Sequence, residues 1–245
     1  MIQNRISRVT ISLIITIIIM VVLNLIASDN PSRIIVMLGG TWPAGIIQGV
    51  TYFLFFFGMF EVLSLNQSMK DEEKAFGLHL LPEQEHWLLK TEDALKLKND
   101  VDKVKHLQPS QLADVISKAC SRYRLGKSSA ESLSLVEAQI GIYNAEKESA
   151  QSFIRYTSWA IPSVGFIGTV VGIAQSLGFA NQANTPEGIQ KVTDSLSIAF
   201  DTTLVALLLS VVLMLAIHAV QKQQDDLYTR MKNYVIENLI NRLYK

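Results

Sequence analysis

The sequence predicts an all-α fold: a polytopic membrane protein with four transmembrane helices and a cytoplasmic helical extension. Three observations carry this. Apolar runs occupy 9–27 and 34–65, and a pair of them fills 158–220. Each is near or above the roughly 20 residues that a helix needs to cross a bilayer. Between them, 66–157 holds 13 Lys/Arg and 14 Asp/Glu and no apolar run of that length. The expected parts are therefore 1–65 (first two spans), 66–157 (helical insertion), 158–220 (a hairpin of two spans) and 221–245 (C-terminal helix). The 22 basic residues balance 22 acidic ones, so nothing in the charge points to nucleic acid.

Arg5 and Arg8 precede the first run. That run is longer than the core of a secretory signal, and no small-x-small cleavage site follows, so a retained span is expected. Asp29, Asn30 and Pro31 stop it. The second run is interrupted by Gly39, Gly40, Pro43 and Gly45, which predicts a kinked or overlong helix. Glu61, near its end, reads as a carboxylate at the membrane interface.

Within the insertion, 67–98 reads as a charged helix broken near Pro82. A second helix spans 109–125, with an apolar stripe through Leu112, Val115, Ile116 and Ala119, and stops before Gly126. Cys120 lies on it as a small buried thiol. Ser128 and Glu131 form a capping box. The helix they open is expected to run through Val136, Ile140 and Tyr143 into the membrane near Trp159. The single cysteine excludes an intramolecular disulfide and a cysteine-based zinc cluster. His79 and His86 are seven apart but have no third ligand at suitable spacing, so no metal is expected. The chain has no Walker loop, dinucleotide loop or nucleophile elbow, so neither a cofactor nor an enzyme activity is expected.

The hairpin is the most informative stretch. Gly165, Thr169, Gly172 and Ser176 share one face of its first helix. Ser195, Ala199, Thr202, Thr203, Ala206 and Ser210 fall in an arc of roughly 100° on the second. Stripes of small residues let membrane helices approach closely. Asp201 sits about two turns inside the second helix, projecting roughly 160° away from Thr203. An ionisable residue there marks function by default. The tail carries Leu227, Met231, Tyr234, Val235, Asn238 and Leu239 at helical spacing, which suits packing against the insertion helices or neighbouring subunits. The N-terminal flank, the insertion and the tail hold 20 of the 22 basic residues, and the short loops hold Arg33 and Lys191 alone. The positive-inside rule then places both termini and the insertion in the cytoplasm.

The stretch PSVGFIGTVVG at 162–172 resembles the second conserved membrane segment of the MotA/TolQ/ExbB proton-channel family, and AFDTTLVAL at 199–207 resembles the third. The resemblance implies the ion-channel-forming stator subunit of a proton-motive-force-driven rotary motor in the bacterial cytoplasmic (inner) membrane. Five copies would form a homopentamer, surrounded by membrane lipid, around two copies of a single-span MotB/TolR/ExbD-like partner that carries the essential carboxylate. Thr169 and Thr203 match the family's channel-facing threonines, and Thr202 joins them as a candidate for the ion path. Pro162, Gly165, Gly172, Ser176, Ala199, Ala206 and Ser210 would line the pore or pack the helices. The glutamate that ExbB and TolQ types carry on this helix aligns with Ile198, so Asp201 either replaces it or serves as a hydrogen-bonding residue between subunits. Four spans are MotA-like, whereas the hairpin is at least as close to TolQ and ExbB. A sodium-driven version of the motor and a non-transporting membrane scaffold are the alternatives.

Overall fold

A computed structural model describes residues 2–29, 32–42, 45–83, 88–126 and 128–243. The described residues form seven α-helices: α1 (Ile2–Asp29), α2 (Arg33–Met37), α3 (Ile46–Lys74), α4 (Thr91–Leu107), α5 (Gln111–Gly126), α6 (Ser129–Gly178) and α7 (Pro186–Asn238). Four of these, α1, α3, α6 and α7, are long and apolar enough to cross a membrane. The protein is thus an all-α polytopic membrane protein. The chain divides into two compact units, Met1–Leu63 with Ser152–His218, and Ser64–Gln151 with Ala219–Lys245. Helices α6 and α7, of 50 and 53 residues, contribute to both. At 1.5 Å per residue each is about 75–80 Å long, more than twice the hydrocarbon thickness.

In the first unit, the run at 34–65 is not one kinked helix. It splits into the single-turn α2 and the long α3. Gly39 takes a left-handed φ of 94°, which costs a side-chain-free residue little. Gly40 lies so close to α1 that a Cβ there would sit 3.0 Å from the Leu23 carbonyl oxygen. Side chains satisfy the backbone of this strap. Asn24 Nδ2 donates to the Gly40 carbonyl at 3.0 Å and the Tyr52 hydroxyl to the Leu38 carbonyl at 2.9 Å. Glu61 is buried, and Arg8 Nε reaches it from α1 at 3.0 Å, with Arg5 Nε at 3.8 Å.

In the second unit, the charged run over 67–98 is broken around Pro82, as the sequence predicts. Helix α3 ends at Lys74, a 3-10 turn covers Ala75–Leu78, and His79 turns left-handed at φ 45°. Gly77 and Pro82 disfavour continuation. Helix α4 then starts afresh: Glu92 and Asp93 place negative charge in its first turn, and the Lys90 N–H donates to Asp93 Oδ2 at 3.2 Å. His79 pairs with Glu83 at 2.8 Å, while His86 lies outside the described residues. The Ser128 hydroxyl accepts from the Glu131 N–H at 3.3 Å, as the capping box predicts. From there α6 runs without interruption past Trp159 to Gly178.

The core of this unit joins Ala94 and Val101 of α4, the α5 stripe, Val136 and Ile140 of α6, Met231 and Val235 of α7, and Leu239 just after it. The tail is therefore the end of α7, packed on the insertion helices. Cys120 is buried in the same core, and burial pushes its thiol up to about 12. Burial of the Asp114 carboxyl would raise it too. Hydrogen bonds from Lys105, Lys118 and Tyr143 outweigh that and hold it at about 2.

Candidate functional site

The hairpin of α6 and α7 is built on a seven-residue repeat. On α6, Gly165 and Gly172 are seven apart. On α7, Ala199 and Ala206 are also seven apart, and the helices run antiparallel. A Cβ added to Gly165 would come within 2.5 Å of the Ala206 methyl, and one on Gly172 within 2.6 Å of the Ala199 methyl. Only glycine fits this approach. Gly168 faces the Thr202 side chain just as closely.

The close approach lets hydroxyls reach carbonyls across the gap. Ser176 Oγ donates to the Val192 carbonyl at 3.2 Å and Thr169 Oγ1 to the Ala199 carbonyl at 3.1 Å. In the other direction, Thr203 Oγ1 donates to the Gly165 carbonyl at 2.9 Å and Ser210 Oγ to the Ser158 carbonyl at 3.3 Å. Donors on each helix are seven residues apart, as are the acceptors. The four bonds form a zipper with approximate two-fold symmetry, which small residues at 3.5-residue spacing permit.

One rung has a specific cause. Pro162 lies inside α6 and has no N–H. The carbonyl four residues earlier, at Ser158, loses its helical donor, and Ser210 from α7 replaces it. Inside a bilayer a freed backbone group needs such a partner.

The Thr169 and Thr203 hydroxyls also touch each other, at an edge of the hairpin that is half-buried; with one proton each, the pair makes two of these three hydrogen bonds at a time. Neither hydroxyl is used up on its own helix, which is the ordinary fate of a threonine in a membrane helix. Thr202, grouped with them in the sequence, is placed otherwise. It is 1% exposed, packs on Gly168 and donates to the Ala199 carbonyl of its own helix at 2.9 Å. Ser195, Ala199, Ala206 and Ser210 are buried in the seam. Hydroxyls donate and accept but do not titrate near neutral pH. The threonine pair can therefore order water or bond a carboxyl group, and it cannot itself carry a proton.

Asp201 finds a partner on its own chain. Arg33 Nη1 and Nη2 of α2 bond its two carboxylate oxygens at 2.5 and 2.7 Å. This two-pronged pair is the strongest geometry that arginine and a carboxylate have. It borders a cavity of about 890 Å³ whose walls include Trp42, Ile46, Gly168, Gln175, Asp194 and Ile198. Sequence reasoning missed Arg33. It is 168 residues from Asp201, on a five-residue helix within an apparent loop. The one hint in the sequence was that Arg33 is the only basic residue between the first two apolar runs.

No curated protein matches the chain, and no solved structure does. The family model described as the MotA/TolQ/ExbB proton channel family matches residues 107–233. That is just over half of the 245 residues. It covers α5, the whole zipper hairpin and most of α7, leaving out the Arg33 strap. A match of that extent, centred on a hydroxyl-lined membrane hairpin, shows that this chain belongs to the MotA/TolQ/ExbB proton channel family.

Proposed function

We propose that this chain is the ring-forming, stator-type subunit of a rotary motor driven by the proton motive force. Five copies surround two single-span helices of a MotB/TolR/ExbD-like partner in the bacterial cytoplasmic membrane. The observation that carries the reading is the Thr169–Thr203 pair, within the matched family segment. Each hydroxyl bonds across the hairpin, and together they form a polar, non-titrating step on a membrane helix pair. Such a step needs a carboxylate from elsewhere, which is what a partner helix supplies. That carboxylate takes up a proton on the outer side and becomes neutral, which lowers the cost of passing the apolar wall. It releases the proton on the inner side. The membrane potential contributes ~2.3 kcal/mol per charge per 100 mV.

The roles divide accordingly. Thr169 and Thr203 line the ion path. Pro162, Gly165, Gly172, Ser176, Ala199, Ala206 and Ser210, with Thr202, hold the hairpin together. The cytoplasmic insertion at 66–157 transmits force.

Thr203→Val keeps the shape and removes the hydroxyl. A lost partner for a buried carboxyl or ordered water costs roughly 1–3 kcal/mol. That slows proton flux by about one to two orders of magnitude. The measurement is flux through the complex with its partner, for Thr203→Val and for the exposed control Leu208→Val, each shown pentameric by native mass spectrometry. Loss confined to Thr203→Val supports the channel role. Wild-type flux in Thr203→Val, or a dimer or tetramer as the sole assembly, overturns the reading.

A further inference from the structure

The Arg33–Asp201 pair joins two very different environments. The Asp201 side chain is 5% exposed, inside an apolar helix, whereas the Arg33 side chain is 59% exposed and borders the cavity. We propose that Arg33 is the fixed counter-ion of Asp201. It keeps that carboxylate ionised within the membrane-spanning segment, so Asp201 is a positioning residue and not a carrier of the transported proton. The inference deepens the motor reading and rests on it for its flux readout, but not for its spectroscopic one.

The geometry supports a fixed charge. Both carboxylate oxygens bond one guanidinium, so a travelling proton taken up there would have to break that two-pronged pair. Asp201 directly precedes Thr202, which is locked against Gly168, and Thr203, which bonds Gly165 and Thr169. Clamping Asp201 from α2 therefore sets the rotation of the α7 turn that presents Thr203. The strap that carries Arg33 is itself tied to α1 through Asn24 and to α3 through Tyr52. The clamp thus reaches the hairpin from the part of the chain outside the matched family segment.

Burial makes the two partners unequal, and this gives the test. Removing Arg33 leaves a buried carboxylate with no counter-charge, which is the costly way to break a pair. Removing the charge of Asp201 leaves an arginine that already reaches the open cavity. Replacing both partners by neutral amides leaves no uncompensated buried charge, which is the costly term. Arg33→Ala should lower proton flux by about tenfold or more, Asp201→Asn by less than about threefold, and Arg33→Gln/Asp201→Asn should recover most of the wild-type rate. A proton carrier gives the opposite order: Asp201→Asn is the worst variant, and the double substitution is as inactive.

Infrared difference spectroscopy on the complex, with carbon-13-labelled aspartate, reads the charge state directly. Wild type should show Asp201 as a carboxylate, assigned by the band lost in Asp201→Asn. In Arg33→Ala that band should move to the protonated carbonyl region. An unchanged carboxylate band in Arg33→Ala, or an inactive Asp201→Asn beside an active Arg33→Ala, overturns the proposal. If Thr203→Val proves harmless while the carboxylate band still moves in Arg33→Ala, the channel assignment of Thr203 fails and the counter-ion assignment stands.

Discussion

At the scale of single residues, Asp114 shows how one side chain orders a solvent-facing unit. Lys105 Nζ reaches one carboxylate oxygen at 2.6 Å, Lys118 Nζ the other at 2.8 Å, and the Tyr143 hydroxyl donates to it as well. These groups come from α4, α5 and α6, so the carboxylate cross-links three helices. Burial would raise its pKa, but the three donors outweigh burial and hold it at about 2, below the ordinary 3.8. The sign follows. A carboxyl lowered on folding contributes stability above its unfolded pKa and loses it as pH falls toward its folded one. The window runs from about pH 4 down to about pH 2, and the contribution is at most roughly 2 kcal/mol. Asp114→Asn removes the charge, so the variant should be less stable at neutral pH. The gap from wild type should close across that window. Thermal unfolding of the detergent-solubilised chain at both ends of the window checks this, and a gap that does not change with pH would remove Asp114 from the account.

At the scale of elements, the hairpin is held by a repeat rather than by any one contact. Glycine opposite alanine brings the helices together, and four hydroxyls then close onto carbonyls across the seam. The Pro162 rung predicts a specific coupling. Ser210→Ala leaves the Ser158 carbonyl without a donor, at a cost of about 0.5–2 kcal/mol for a bond inside a membrane bundle. In a Pro162→Ala background the restored N–H at 162 serves that carbonyl, so Ser210→Ala should cost close to nothing. A double-mutant cycle on unfolding free energy measures this; additive costs would mean that the serine and proline act independently. The stripes themselves were legible in the sequence, because a repeat within one helix is local information. What the hydroxyls bond was not, since a threonine that bonds its own i−4 carbonyl and one that reaches a neighbour have the same spacing. Thr202 and Thr203 are adjacent and alike in composition, yet one is sealed on Gly168 and the other faces Thr169. Arg33 stayed hidden for a related reason: its partner is fixed by how α2 folds back, and α2 is a single turn with no periodicity to read. The break in the charged run at 67–98 was legible through Pro82, but its width was not: Glu, Lys and Leu favour helix on both sides, whereas Gly77 and the left-handed His79 end α3 well before Pro82.

At the scale of the whole molecule, topology decides what the insertion can do. The basic residues are divided so unevenly that one orientation is strongly favoured. Arg5 and Arg8 lie in the first turns of α1, 13 Lys/Arg lie in 66–157, and the two short loops hold Arg33 and Lys191. Even these two count for less than their number suggests, because Arg33 is already neutralised by Asp201. Lys/Arg near span ends resist translocation, so both termini and the insertion are expected on the cytoplasmic side, and the loops around 28–45 and 179–185 outside. Four spans satisfy the parity that this orientation needs. Cysteine labelling tests it. Cys120 is buried, and Cys120→Ser gives a background free of reactive thiols. Lys96 on α4 and Asn184 in the hairpin loop are both exposed, so each accepts a reporter cysteine without disturbing the core. In intact cells a membrane-impermeant maleimide should label Asn184→Cys and leave Lys96→Cys untouched. After permeabilisation both should react. Labelling of Lys96→Cys from outside would place the insertion on the wrong side for a cytoplasmic force-transmitting element. It would invert the direction of proton flow relative to the Thr169–Thr203 step, and the motor reading would have to be abandoned in its present form.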